Sequence, residues 1–157
     1  MKDSNHACGF SLIELLIVVG VILVITAIAI PSLMRSKASA NEASAVATLR
    51  SVNAACNTYS STYNIGYPLT LLYLGPGSPT SSTAAGIVDS VVAGGIKSGY
   101  TFTYISGAPS SGQIRTYTVS ASPTVPGNTG QRYFYTDQTG VIRQNLGTVA
   151  TSSSTPI

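Results

Sequence analysis

The chain is 157 residues long, 44% hydrophobic and only 8% charged, with a formal charge of +3. An average soluble domain is roughly 25% charged, so a freely solvated monomer with an ordinary surface is excluded; much of this chain must face lipid, protein or an uncharged Ser/Thr surface. The cations Arg50, Lys97, Arg115, Arg132 and Arg143 are far apart in sequence, and without clustered phosphate contacts no specific nucleic-acid partner is predicted.

Residues 1–9 are polar, and an apolar run begins at Phe10. Residues 15–34 contain no charged side chain, and Arg35 and Lys37 close the run. A helix of that length rises ~30 Å, enough to cross the hydrocarbon core of a bilayer. An ordinary secretory signal places its apolar core before a small-residue cleavage site. Here the order is reversed, with the polar leader first and Gly9 at the junction.

The run Gly9-Phe10-Ser11-Leu12-Ile13-Glu14-Leu15-Leu16-Ile17-Val18-Val19 resembles the cleavage and methylation motif of type IV pilins and type II secretion pseudopilins. The resemblance implies that a prepilin peptidase cuts between Gly9 and Phe10 and methylates the Phe10 amine. It also places the family's glutamate on Glu14 and its helix-interior proline on Pro31. It covers about the first third of the chain.

The residues carry a physical reading of their own. A carboxylate in an apolar helix is costly, roughly 2.5–3.5 kcal/mol for Asp at a helix centre on insertion scales, and less near the end where Glu14 lies. Snorkelling to the headgroups, or protonation, is the plainer solution. The alternative is a cationic partner, which the apolar run lacks and cleavage would create. Glu14 of one subunit would then pair with the Phe10 amine of its neighbour, neutralising both and fixing the axial offset of a filament. Pro31 removes the hydrogen bond to the Ala27 carbonyl, and residues 21–30 are rich in β-branched side chains with reduced helix propensity. Assembled pilins lose helicity just before this proline, so local melting is expected here. Lys2 is offset by Asp3 while Arg35 and Lys37 lie beyond the run. The positive-inside rule therefore opposes the cytoplasmic leader that the resemblance implies.

Cleavage would remove Cys8 and the only histidine, His6, leaving Cys56 as the single cysteine. That excludes an internal disulfide, a Cys–His pair and a His-containing zinc site in the processed chain. The remaining acids, Glu14, Glu42, Asp89 and Asp137, are widely spaced. No catalytic residues, cofactor or metal are expected. Some pseudopilins bind calcium in a C-terminal loop, but calcium needs six to eight oxygens and Asp137 is the only acid after Asp89.

From 35 to 63 the pattern is amphipathic: Ala45, Leu49, Val52, Cys56, Tyr59 and Tyr63 recur at helical steps, with Asn41, Ser44, Thr48, Ser51 and Asn57 on other faces. Cys56 on the apolar stripe reads as a buried, unreactive thiol. Asn64 and Gly66-Tyr67-Pro68 stop the helix. Residues 64–98 form a connecting segment, with a short turn of helix or strand at 69–74 and a short helix over 84–93 ended by Gly94-Gly95. From Tyr100 the period becomes two. Strands are predicted over 100–105, 116–121, 132–136 and 141–144, the last two flanking the hairpin loop Asp137-Gln138-Thr139-Gly140. The aromatics read as core or cross-strand pairs. The tail, 147–157, reads as flexible and Ser/Thr-rich, able to carry O-linked sugar.

The expected architecture is α+β: a leader (1–9), a transmembrane and polymerisation helix (10–34), an amphipathic helix (35–63), a connecting segment (64–98), an antiparallel sheet of about four strands (99–146) and the tail. This arrangement matches the pilin fold. The resemblance implies a structural subunit, not an enzyme, that is single-pass in the bacterial inner membrane and then extracellular in a pilus used for adhesion, twitching motility or DNA uptake. Its partners would be copies of itself in a helical filament, related minor pilins, the prepilin peptidase, an inner-membrane assembly platform and, before assembly, the lipid bilayer. The alternative is the major pseudopilin of a periplasmic type II secretion pseudopilus.

Overall fold

The computed structural model describes residues 10–157; the leader, with His6, Cys8 and Gly9, lies outside the described residues. The chain divides into two compact units, one ending at Ser36 and one spanning Lys37–Ile157. Both draw on the first helix, α1 (Leu12–Tyr63).

In the first unit the backbone is helical throughout, including residues 21–30 and Pro31. The melting expected before this proline does not occur in the single chain. Proline removes one donor and leaves the rest of the ladder in place. The hydroxyl of Thr26, which could compete for the backbone, instead donates within the helix to the carbonyls of Ile22 and Leu23, both at 3.0 Å.

In the second unit, α1 buries one face: Ala45, Thr48, Leu49, Val52, Asn53, Ala55, Cys56 and Tyr59. Thr48, assigned by its chemistry to a polar face, is buried because its hydroxyl is satisfied by the Ser44 carbonyl at 2.8 Å. The helix ends where expected. Asn64 has φ 55° and Gly66 has φ 85°, left-handed conformations that close a helix. A 3-10 turn follows at Leu71–Leu74. The predicted helix over 84–93 shrinks to α2 (Ser90–Ala93), capped by the Asp89 side chain accepting from the Val92 N–H at 2.7 Å. Ile87 and Val88 form a bend outside the helix, and both N–H groups donate to the Leu74 carbonyl.

The sheet has six strands, not four, in the antiparallel order β1 (Ile96–Lys97), β2 (Tyr100–Ser106), β3 (Tyr117–Pro123), β4 (Arg132–Asp137), β5 (Arg143–Leu146), β6 (Thr155–Pro156). The four central strands correspond to the predicted ones, with the fourth shifted two residues onward; Ile142 is buried but precedes the ladder. The two additional strands are two-residue edge pieces, too short for any period to reveal. β6 also corrects the expectation of a flexible tail. Arg143 and Gln144 pair with Pro156 and Thr155, the Ile157 N–H donates to the Ile142 carbonyl at 3.0 Å, and Ala150 is buried. Backbone bonds to the free edge of β5 order a segment whose side chains could not.

Tyr100, Phe102, Tyr117, Val119, Ala121 and Phe134 cover the buried face of α1. Their rings interlock: Tyr67 and Tyr117 meet edge to face at 4.6 Å, and Tyr104 stacks on Tyr117 at 5.6 Å.

Candidate functional site

The N-terminal segment presents its chemistry without cover. Phe10 is 76% exposed, and every large apolar side chain from Leu12 to Met34 is exposed as well. This helix alone is long and apolar enough to cross a membrane, among the described residues. Water cannot accommodate such a surface cheaply, since each buried CH₂ is worth roughly 0.8 kcal/mol; lipid or other protein must cover it.

The sequence reading singled out Glu14 and Pro31 but passed over a signal beside Glu14. Ser11 precedes the helix and Glu14 occupies its third position, and the Ser11 N–H donates to the Glu14 Oε2 at 3.2 Å. This is the return bond of a capping box, and the spacing Ser-x-x-Glu before an apolar run was legible as one. In the single chain, therefore, the Glu14 carboxylate serves its own helix terminus. Its position near the amino end is also favoured by the helix dipole. Phe10 stands two residues before the helix and four before Glu14, while Pro31 lies within it. The structure does not bring Pro31 together with the other two. Gly9 lies outside the described residues.

The second unit holds its reactive groups in structural roles. Burial pushes the Cys56 thiol up to about 12, with hydrogen bonds to Tyr104 and Tyr117 opposing only in part. Burial likewise raises both of those phenols. Asn53, which sequence reasoning did not single out, anchors the helix to the sheet. Its Oδ1 accepts from the Tyr117 hydroxyl at 3.0 Å, and its Nδ2 donates to Thr136 Oγ1 at 2.9 Å. Such pairing is what allows a carboxamide to be buried. Glu42 is a second clamp: its Oε1 accepts from the Gln131 N–H at 2.8 Å, and its Oε2 lies 3.7 Å from Arg132 Nε.

Asp137 closes the β4–β5 hairpin, its Oδ1 accepting from the Thr139 N–H at 2.9 Å, and Gly140 takes the left-handed conformation expected, φ 75°. A shallow groove of about 460 Å³ runs between α1 and α2, lined by Ala47, Ser51, Ala54, Ile87 and Val88. Its two charged side chains, Asp89 and Lys97, face each other at 3.6 Å.

Comparison with known proteins gives one match. Residues 4–30 fit the family described as the prokaryotic N-terminal methylation motif, the prepilin-type signal of type IV pilins and pseudopilins. No curated protein and no solved structure matches the chain.

Proposed function

We propose that the chain is the structural subunit of a type IV pilus, assembled through its N-terminal helix after removal of the leader. The observation that carries the reading is the pairing of the methylation motif at residues 4–30 with a helix that has no cover of its own. The motif supports a type IV pilin or pseudopilin, and the apolar helix is consistent with anchoring in the inner membrane before assembly. The prepilin peptidase cuts between Gly9 and Phe10 and methylates the new amine. The apolar helices then leave lipid for one another, exchanging one apolar cover for a second.

Glu14 has two states in this scheme. In the single chain it caps its own helix; in the filament it takes the Phe10 ammonium of a neighbour. The capping bond has one ionised partner and the bond to the ammonium has two, and attraction between opposite charges strengthens where water is excluded, so the exchange favours the assembled state. Pro31 sits where the assembled helix can yield.

Shearing cells and measuring the sheared fibres by mass and N-terminal sequencing tests the reading. The expected product is long surface fibres of a chain that begins at N-methylated Phe10. Recovery of that chain only in the envelope, with the secretion apparatus, would place it in a pseudopilus instead. A chain still beginning at Met1 would overturn both.

A further inference from the structure

We propose that the unit Lys37–Ile157, before assembly, rests on the bilayer surface through an apolar face built around Pro126, Tyr133 and Leu146. The proposal rests on the membrane reading of the N-terminal helix given above.

Two loops make this face. Val125 in the first is 50% exposed; Leu146, the last residue of β5, is 67% exposed and Val149 in the loop after it 58%. The Gly147 N–H donates to the Gln131 carbonyl at 3.1 Å and ties the loops together. Between them lies a concavity of about 220 Å³ whose lining includes Pro126, Tyr133 and Leu146. Aliphatic side chains around a tyrosine form the mixture that settles at the level of lipid headgroups.

Chain connectivity decides which end of the unit carries this face. The Asn41 Nδ2 donates to the Thr129 carbonyl at 2.9 Å, and Glu42 accepts from the Gln131 N–H. The first loop is thus fixed to the turn of α1 that follows Lys37, ~6–8 Å along the helix from it. Lys37 is only three residues beyond Met34, the last residue of the uncharged run. Three residues span at most ~11 Å even when fully extended, so this end stays within reach of the interface whatever the disposition of the two units.

The two loops carry no charge that would oppose a lipid surface as the partner. Residues 124–131 and 145–151 contain no Asp or Glu. The one carboxylate nearby, Glu42, is engaged by the Gln131 and Arg132 N–H groups and the Arg132 guanidinium. A second copy of the chain could also cover an apolar face, and the test separates it from lipid.

The test uses the full chain carrying Cys8→Ser, one copy per lipid nanodisc of phosphatidylethanolamine and phosphatidylglycerol. The chain with Cys56 alone, its thiol buried, is the labelling control, and Leu146→Cys, Ser111→Cys and Val24→Cys each add one site for a fluorophore. Ser111 belongs to the loop held against Asn64 by Gln113, ~33 Å along the helix from Glu42. Headgroup-nitroxide lipid should quench the label at position 146 several-fold more than that at 111, and acyl-chain nitroxide should quench the label at 24. Equal quenching at 146 and 111, with 24 quenched, overturns this inference and leaves the membrane reading standing. Absence of quenching at 24 overturns both. Shielding at 146 that needs two or more chains per disc assigns the face to a second copy and also overturns the proposal.

Discussion

The two units use α1 in opposite ways. From Leu15 to Met34 the helix is apolar on every side and nothing among the described residues covers it; from Lys37 its apolar residues fall on one face, and the sheet covers that face. Helix propensity does not separate them, since both stretches are fully helical. What separates them is where the apolar side chains can be satisfied: within the molecule for Leu49 and Val52, outside it for Leu16 and Leu23. One unit is finished by folding, the other only by lipid or assembly.

The sharpest test of that division is Glu14→Gln. Gln accepts the Ser11 N–H as Glu does, so the capping bond survives while the charge is lost. The second unit should unfold as before, cleavage should proceed, and sheared fibres should fall below detection. Assembly at the unaltered level would show that Glu14 serves its own helix terminus alone. Glu14→Ala cannot make this distinction, because it removes cap and charge together.

Identical truncations in the two halves of one helix come next in size. Leu49→Ala opens a cavity in a fully buried site and should cost the second unit about 2–5 kcal/mol, read by denaturant unfolding of the detergent-solubilised chain. Leu23→Ala should leave that transition unchanged, because its side chain is 63% exposed and has no part in the buried core of the second unit. A shift of more than about 0.5 kcal/mol from Leu23→Ala would show that the units are energetically coupled.

Much of this division was legible beforehand. The unbroken apolar run, the change to helical periodicity near residue 35, the period of two from Tyr100 and the hairpin at Asp137–Gly140 each left a pattern long enough to read. What escaped had a common cause. β1 and β6 are held by backbone bonds at a sheet edge, and a two-residue pairing leaves no periodic trace. The tail from 147 to 157 looked unable to fold because its side chains are small and polar, yet Thr155 and Pro156 needed only the free edge of β5. Asn53 and Glu42 were invisible for another reason: a polar residue on a buried face gains meaning from partners 83 and 89 residues away. The capping role of Glu14 could have been read, since Ser11 stands at the right spacing, but the apolar run drew attention to the charge alone.

Alkaline pH probes the finished unit through its buried thiol. Folded Cys56 holds its proton to about 12, against 9.0 for the ordinary thiol. Above pH 9 the unfolded chain releases a proton that the folded chain retains, so stability is intact below that value and falls as pH rises toward 12. The raised Tyr104 and Tyr117 hydroxyls act in the same direction from their ordinary value of 10.0 upward. Maleimide at pH 8 should leave Cys56 unmodified in the native chain and label it fully in denaturant. Rapid labelling of native protein would mean that the sheet opens from the helix on the timescale of the reaction.

The smallest effect belongs to Glu42→Gln. The change keeps the side-chain oxygen that accepts from Gln131 and removes the charge facing Arg132. That arginine side chain is about half exposed, so solvent screens the pair and the loss should be at most about 1 kcal/mol. Removing the acceptor too, in Glu42→Ala, gives up the bonds to two exposed backbone N–H groups, which water then solvates, and should cost somewhat more, about 0.5–1.5 kcal/mol. The difference between the two variants measures how much of this clamp is hydrogen bonding and how much is charge. A glutamine as damaging as the alanine would make charge the dominant part, and would bring electrostatics into a unit whose cohesion otherwise comes from rings, aliphatic side chains and satisfied amides.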